Sequence, residues 1–297
     1  MRTVRMALLA ACTALTASRA LAVESWIPYL AGSRVALQLG TLPRPGIYVS
    51  SAVQVPELKG HDDNGNQTPE KVTGTLVVPA VVWVPDIKLL GATYGVELVK
   101  TMLQLTVQTP AVQLYNGGFF NTVIYPAMLS WKLPADVFVK AQFAVYIPDG
   151  SYKLSKAGSG ATLLSLNYWN FQPSVGATWL HDGWNLSGAA TLDVGTKNTA
   201  TQYQSGQVVS FDLNVSKSIG DLTLGAGASM NQQYTDDTRN GQSVAPNGNR
   251  ARDLVAGPYL GYRFGAVSAS VWYTYGTATN YIEGSKLWFR IGLPVPL

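Results

Sequence analysis

From Gly46 onwards, apolar and polar side chains alternate along the chain in segments of about ten residues, separated by loop-forming residues. One segment has apolar side chains at odd positions and polar ones at even positions: Val209, Phe211, Leu213 and Val215 against Ser210, Asp212, Asn214 and Ser216. A period of two sends successive side chains to opposite faces of a β-strand. The pattern therefore predicts strands with one apolar face and one polar face.

The predicted strands lie near 46–55, 72–84, 94–107, 122–133, 137–147, 167–180, 184–194, 207–218, 221–233, 253–264, 266–277 and 284–294. Short turns at 133–136, 181–183, 219–221 and 264–266 alternate with long loops over about 56–71, 108–121, 148–166, 195–206 and 234–252. Outer-membrane barrels place short turns in the periplasm and long loops outside, and closure leaves no strand edge unpaired in hydrocarbon. We therefore expect an all-β fold, a transmembrane antiparallel β-barrel of about twelve strands, over residues 46–297.

The first 45 residues do not share this pattern. Residues 1–22 are typical of a secretory signal peptide, with basic residues, an apolar stretch and the small-residue site Ala20-Leu21-Ala22. Residues 23–45 alternate poorly, and 31–39 would suit a short helix. We expect residues 23–45 to be either a periplasmic N-terminal segment, which the sequence favours, or a plug that enters the lumen from below.

Charged residues make up only 13% of the chain, about half the share in a typical soluble protein. A lipid-facing outer surface accounts for this scarcity. Removal of the signal peptide takes away Cys12 and the basic Arg2, Arg5 and Arg19, which leaves 18 basic against 17 acidic residues. The mature chain then has no disulfide, and its near-neutral charge gives no reason to expect a nucleic-acid partner. Export and this composition indicate the outer membrane of a Gram-negative cell, surrounded by membrane lipid and lipopolysaccharide.

The inward strand faces carry the candidate site. A charge facing hydrocarbon at mid-depth would cost roughly 2–4 kcal/mol, so charges opposite the apolar face should point into the lumen. The candidate charged residues that line the lumen are Lys132, Lys140, Asp193, Asp212, Arg263, Lys286 and Arg290. The candidate aromatic residues are Trp83, Tyr146 and Trp272, although Trp83 also fits an aromatic girdle at a strand end. These side chains would either fill a narrow barrel or help to select solutes.

No catalytic or metal centre is predicted. The two histidines, His61 and His181, fall in an external loop and a periplasmic turn, so they cannot share a site. A membrane-embedded lipid hydrolase would need a strand histidine near the outer rim, so we expect no enzyme. The oxygen-rich stretch 61–66 lacks the closing carboxylate of a calcium loop. We therefore expect no cofactor and no metal.

Several motifs resemble a known bacterial family. They include Leu39-Gly40-Thr41-Leu42-Pro43 and the stretches 61–66 and 79–95, the last beginning Pro79-Ala80-Val81-Val82-Trp83. In these motifs the chain resembles the outer-membrane transporters of the phenol-degradation meta-pathway (MetA-pathway), over nearly all of its mature length. The resemblance implies an outer-membrane barrel for hydrophobic compounds, and it carries no catalytic motif.

Two functions follow as hypotheses. The first is an outer-membrane channel for passive uptake of small hydrophobic or aromatic compounds. The alternative is a closed barrel with a structural role, or with external loops that act as an adhesive or receptor surface. A barrel of about twelve strands is narrower than a general porin, so we expect side chains or residues 23–45 to fill part of its bore.

Overall fold

The structure is a computed structural model that describes residues 27–61, 66–109, 113–153, 162–244, 247–277 and 282–296. The predicted signal peptide lies outside the described residues. Twelve long strands dominate: β1 (Gly46–His61), β2 (Gln67–Val84), β3 (Ala92–Gln108), β4 (Gln113–Lys132), β5 (Val137–Ile147), β6 (Asn170–His181), β7 (Trp184–Gly195), β8 (Val208–Ile219), β9 (Leu222–Gln233), β10 (Arg252–Phe264), β11 (Val267–Thr277) and β12 (Ile282–Val295). Two-residue strands lie at Lys88–Leu89, Tyr152–Lys153, Thr162–Leu163, Tyr203–Gln204, Thr238–Arg239 and Gln242–Ser243, and a 3₁₀ turn at Asn247–Asn249.

The twelve strands form one closed antiparallel sheet. Each strand pairs with its neighbour in the chain, and β1 pairs with β12 from Ile47 opposite Val295 to Gly60 opposite Ile282. The predicted transmembrane barrel of about twelve strands is therefore confirmed. None of the helices among the described residues has the length and apolar character needed to span a bilayer.

Short turns join the strands at one end of the barrel, which is the periplasmic end of an outer-membrane barrel. The turn between β6 and β7 places Asp182 at φ 46° and Gly183 at φ 73°. Two successive positive φ angles are those of a type I′ turn, whose twist matches that of a hairpin. These tight connections fix the register of each strand pair, and with it the face on which every side chain lies.

The strands are longer than predicted on the other, external side. Residues 56–61 and 67–71, predicted as one loop, continue β1 and β2, and 113–121 form the first half of β4. The strands continue beyond the membrane-spanning apolar alternation, and these extensions carry polar side chains. The sequence pattern therefore did not reveal them, although they are hydrogen-bonded sheet. Lys71 and Glu57, for example, form an ion pair of 2.9 Å between β1 and β2.

The outer surface is apolar where lipid would touch it. The predicted lipid-facing residues of the last strand are exposed: Leu287, Phe289, Ile291 and Leu293. Exposed aromatic side chains ring the periplasmic end: Trp83, Trp179, Trp184, Tyr262 and Phe264. Such a ring is typical of the interface between hydrocarbon and water.

The inside of the barrel divides into two parts. The inner faces of β6–β9, here called the polar wall, carry polar side chains that are buried: Asn170, Gln172, Thr178, Asn185, Ser187, Thr191, Ser210, Asp212, Asn214, Ser229 and Asn231. The inner faces of β2–β5, here called the apolar wall, carry mainly apolar and aromatic side chains: Leu76, Val78, Val82, Val99, Leu103, Val123, Phe138 and Tyr146. The interior of the barrel therefore has one side that can form hydrogen bonds and one side that is mainly apolar.

Candidate functional site

Residues 27–40, here called the inner segment, lie inside the barrel. Ile27 packs with Val208 and Ala251 at the external end of the polar wall. At the periplasmic end, the Gly40 amide donates to Thr178 Oγ1 at 2.7 Å. The inner segment therefore crosses the lumen from the external end to the periplasmic end before β1 begins. These contacts favour the plug over the periplasmic segment that the sequence favours.

The inner segment is a chain of turns and not the short helix expected over 31–39. Its backbone bonds are local, from Ser33 to the Leu30 carbonyl (3.0 Å) and from Leu37 to the Arg34 carbonyl (3.2 Å). Gly32 and Ala36 take φ angles of 88° and 64°, which interrupt a helix. Most of its polar backbone groups must therefore find partners on the barrel wall.

The polar wall supplies those partners. Asn214 Nδ2 donates to the carbonyls of Arg34 (2.9 Å) and Leu37 (3.0 Å), and Asn231 Nδ2 donates to the Tyr29 carbonyl (3.0 Å). Irregular backbone at membrane depth is tolerated only when protein or water satisfies it in this way. The small polar residues of the polar wall are thus the hydrogen-bonding surface for the inner segment.

A charged contact anchors the inner segment near its start. The Tyr29 hydroxyl donates to Asp212 Oδ2 at 2.5 Å, and Arg34 Nη1 lies 3.8 Å from the same oxygen. Arg34 also donates to Thr191 Oγ1 at 2.9 Å, and its guanidinium lies 4.8 Å from the Tyr29 ring centre. Asp212 and Arg34 therefore neutralise one another at a buried junction between segment and wall.

Two stacked tryptophans hold the other side of the inner segment. Trp272 Nε1 donates to the Gly32 carbonyl at 3.0 Å, and the rings of Trp272 and Trp288 stack with centres 5.3 Å apart. Arg290 lies 4.6 Å from the centre of the Trp272 ring and donates to the Ser33 carbonyl at 2.6 Å. Residues from β11 and β12 thus bind the turn that begins at Gly32.

Between the inner segment and the apolar wall lies a cavity of about 810 Å³, a size usual for small-molecule sites. Its apolar and aromatic lining includes Val78, Val82, Val99, Val123, Tyr125, Phe138, Tyr146 and Trp288. Four charged side chains also reach it: Arg34, Glu97, Lys140 and Arg290. The cavity is therefore apolar over most of its wall, with charges gathered on a few strands and on the inner segment.

The loop after β5 folds back over the external end of the cavity. We call residues 164–168 the lid. Leu164 packs against Leu76, Leu103 and Leu105, and the partly buried Leu30 and Phe120 complete this leucine cluster. Below it, the cavity reaches as far as Phe120. An apolar constriction of this kind is an unfavourable path for water and ions.

Asn121 holds the lid in place. Its side chain accepts a hydrogen bond from the Leu166 amide at 2.7 Å and donates to the Leu166 carbonyl at 3.1 Å. The same Nδ2 donates to the Ile147 carbonyl at 2.7 Å, at the end of β5. Leu166 then packs into a second cluster with Tyr146 and Tyr168. One buried amide therefore fixes the lid to two strands.

Above the polar wall, the external loops are tied together by Asp237. It accepts hydrogen bonds from the Tyr203 hydroxyl (2.5 Å), the Gly206 amide (2.7 Å) and Gln233 Nε2 (2.8 Å). Burial, followed by the hydrogen bond to Asp237, raises the pKa of Tyr203, so this phenol stays a donor. The external loops on this side form a fixed cap.

The predicted lumen residues fall into groups. Lys140, Tyr146 and Arg290 line the cavity. Asp212 and Trp272 contact the inner segment instead. Asp193 and Lys286 are buried inside the barrel away from the cavity lining, and Asp193 accepts hydrogen bonds from Asn170 (2.9 Å) and Gln172 (2.5 Å).

The other three lie elsewhere. Trp83 is 49% exposed on the outer face, because its neighbours Val82 and Val84 face inward, so its prediction as a lumen residue is wrong. Lys132 is exposed at the periplasmic end, 5.8 Å from the Phe138 ring centre, and does not line the cavity. Arg263 pairs with Asp221 at 3.1 Å and lines a smaller cavity of about 470 Å³ at the periplasmic end.

Sequence reasoning missed Arg34, Glu97, Tyr125 and the lid leucines. Glu97 could have been predicted as a lumen residue, since it is a lone carboxylate between Val96 and Leu98 in a predicted strand. His181 lies at the periplasmic turn, 3.0 Å from Asp136, far along the barrel from His61. Among the described residues no group of histidine, cysteine and carboxylates could hold a metal, and 62–65 lie outside them.

Comparison with known proteins agrees with this architecture. Residues 59–291 match the family model described as "Putative MetA-pathway of phenol degradation". The match covers well over half of the chain, and the protein belongs to this family, as the sequence motifs indicated. Among curated protein sequences, none matches this chain.

Solved structures with this fold are outer-membrane barrels. An outer membrane channel from Pseudomonas putida F1 has a TM-score of 0.74 at 14% identity, covering 86% of this chain and 98% of the other. The translocator domain of the autotransporter NalP from Neisseria meningitidis has a TM-score of 0.53 at 14% identity, covering 86% and 91%. A deletion mutant of the monoaromatic hydrocarbon channel TodX has a TM-score of 0.50 at 11% identity, covering 89% and 94%. The protein is thus an outer-membrane β-barrel, and these similar structures are channels and a translocator domain.

Proposed function

We propose that this protein is a passive outer-membrane channel for small hydrophobic or aromatic compounds. The observation that carries the proposal is the cavity of about 810 Å³ between the apolar wall and the inner segment. Its valine and aromatic lining gives an apolar solute a favourable environment along the bore. The family description, phenol degradation, and the monoaromatic hydrocarbon channel of similar fold support the same solute class.

Residues 27–40 act in this proposal as a plug that narrows the bore, and the lid closes its external mouth. The plug is held by hydrogen bonds and a buried charge pair along its length. The lid is held by the Asn121 hydrogen bonds at Leu166 and by the apolar packing of Leu164. An apolar solute can replace the contacts of Leu164, so the Leu164 end of the lid is the part that opens to solute, while the plug remains bound to the polar wall.

The proposal can be tested by measuring solute flux after a large side chain is introduced on the barrel wall so that it fills the cavity. Ala80 lines the cavity, and the next residue, Val81, is 44% exposed on the lipid face. Ala80→Trp should reduce entry of phenol into vesicles with lipopolysaccharide in the outer leaflet by about ten-fold, because the indole occupies the solute path. Val81→Trp is the matched control and should behave like the native protein. Equal flux through all three proteins, or no flux above protein-free vesicles, would refute the channel.

A closed barrel with a structural, adhesive or receptor role is the second candidate. The fixed loops around Asp237 and the packed lid favour it. It predicts no phenol flux in the native protein and none after Leu164→Ala, with the barrel folded in both cases. Flux in either protein would exclude it.

A further inference from the structure

Cations outnumber carboxylates among the side chains that line the cavity. Arg34 is compensated by Asp212, 3.8 Å away, and Arg290 donates to the Ser33 carbonyl at 2.6 Å, which carries no charge. Glu97 and Lys140 complete the set that lines the cavity. The lining thus holds three cations and one carboxylate, whereas Asp212 and Asp193 lie buried behind it near Arg34.

Lys140 is the cation with room for a partner. It lies in the periplasmic half of β5, with Phe138 and Gln142 on either side of it along the same inner face. Among the described residues, its ammonium group makes no hydrogen bond and no ion pair. Arg34 and Arg290, by contrast, are each held by hydrogen bonds to the protein. An ammonium ion in an apolar surrounding without a partner is costly, so a ligand that supplies one gains affinity.

Glu97 fills that role only in part. It lies on β3 opposite Tyr125 of β4, and its charge acts on Lys140 without a hydrogen bond or an ion-pair contact between the two groups. Within a single cavity the structure therefore presents an ammonium group with free hydrogen-bond donors, a carboxylate that does not contact it and a broad apolar surface. Glu97 would repel a second negative charge on a ligand, which limits the favoured charge to one.

Resting on the proposed channel function, we propose that the cavity selects small amphiphilic monoanions, an aromatic ring that carries one carboxylate, over neutral aromatic compounds of the same size. The carboxylate accepts hydrogen bonds from the Lys140 ammonium, and the ring packs on the apolar wall beside Val99 and Val123. A neutral phenol or alcohol fills the same space and gives the Lys140 ammonium no carboxylate to bind. Lys140 is thus the residue that determines specificity.

Benzoate and benzyl alcohol are the probes, because they share a ring and differ in charge. Calorimetric titration of the full chain in lipid nanodiscs should show benzoate binding more tightly than benzyl alcohol. Lys140→Met keeps the length of the side chain and removes its charge, and should weaken benzoate binding about ten-fold while leaving benzyl alcohol unchanged. Lys140→Arg should retain most of the benzoate affinity.

Lys59→Met is the matched control, since Lys59 is exposed on the outer side of β1 and away from the cavity. Heat-modifiable migration on gels verifies that each variant is folded. Equal affinity for the two probes in the native protein, or an equal loss of both in Lys140→Met, would overturn the proposed selectivity and leave the channel standing. Failure of phenol, benzoate and benzyl alcohol alike to enter protein-containing vesicles faster than protein-free ones would reject the channel itself.

Discussion

The two walls of the lumen belong to the same closed sheet and yet behave in opposite ways. The polar wall presents amides and hydroxyls, and the inner segment covers them with its own backbone. The apolar wall presents valines and aromatic rings, and a cavity of about 810 Å³ lies beside it. Irregular backbone can lie at membrane depth only where hydrogen bonds satisfy it. The polarity of each wall therefore decides where the plug binds and where a passage remains.

The difference between the walls also means that the inner segment is bound strongly, whereas the leucine cluster closes the external end of the cavity weakly. On the polar wall, removing one partner strands a buried polar or charged group, which costs more than the bond itself contributes. On the apolar wall, each leucine contact contributes a modest, non-directional term that another apolar molecule can replace. Substitutions on the two walls should therefore open the barrel to different extents.

The largest effect is expected from the charged anchor. Asp212→Ala removes the acceptor of the Tyr29 hydroxyl and leaves the Arg34 guanidinium buried without its counter-charge. Breaking a buried pair in this way costs about 3–5 kcal/mol, so the inner segment should leave the polar wall. Single-channel conductance in planar bilayers should rise several-fold. Asp212→Asn keeps an acceptor for Tyr29 and should fall in between, whereas a folded Asp212→Ala barrel with native conductance would contradict the anchor.

A steric change at the periplasmic end should act next most strongly. A Cβ at Gly40 would lie 2.5 Å from the Phe138 carbonyl oxygen and 2.6 Å from the Thr178 amide nitrogen, so Gly40→Ala must push the inner segment away from the wall. Conductance should increase, with the barrel still folded. At Gly261, in β10, the nearest atom to an added Cβ lies at 3.6 Å, so Gly261→Ala serves as the control. The same conductance in both variants would argue against close contact at Gly40.

A smaller and more selective effect is expected at the lid. Leu164→Ala removes a buried side chain from the leucine cluster, at a cost of about 2–5 kcal/mol to local packing. Entry of phenol into vesicles should accelerate two- to five-fold, while conductance for small ions rises less because the inner segment stays bound. Leu186→Ala, on the lipid face, is the control. Faster ion flow with unchanged phenol entry would show that the lid does not gate solute.

The smallest effect concerns pH at Asp149, just after β5, where the neighbouring Gly150 packs against Ser165 of the lid. Partial burial raises the pKa of Asp149, but hydrogen bonds from Thr122 and Lys100 outweigh it and place the pKa below its usual value. A lowered pKa means that the ionised carboxylate stabilises the fold above about pH 4, and that this contribution is lost as the pH falls through the pKa. Phenol entry should therefore rise modestly as the pH is lowered below about 4. Asp149→Asn should abolish this dependence, and an unchanged pH profile in that variant would disprove the role.

The barrel itself could be predicted because its signal is local. Alternation with a period of two identifies each strand and its lipid face, as the exposed Leu287 and Phe289 show. Trp83 shows a case in which alternation does not identify the lipid face. Its strand is apolar on both faces, from Val77 to Val84, so no alternation reveals which side chains point inward. Only the register with β1, where Trp83 lies opposite Ile47, fixes its outward direction.

The site was less predictable because its contacts are distant in sequence. Tyr29 and Asp212 are 183 positions apart, and Trp272 and Gly32 are 240 apart. No pattern within residues 23–45 indicates that the backbone carbonyls of this stretch accept hydrogen bonds from Asn214 and Asn231. The cavity follows from where the inner segment binds, so its lining could be predicted only in part, at Lys140, Tyr146 and Arg290.

The course of the inner segment ties occlusion of the bore to the first strand of the barrel. It runs the full height of the barrel, from Ile27 at the external end to Gly40 at the periplasmic end. It then leads directly into β1, the strand that closes the sheet against β12. The stretch of chain that fills the bore is therefore covalently continuous with the strand at the seam, and no loop has to cross the sheet to bring it there.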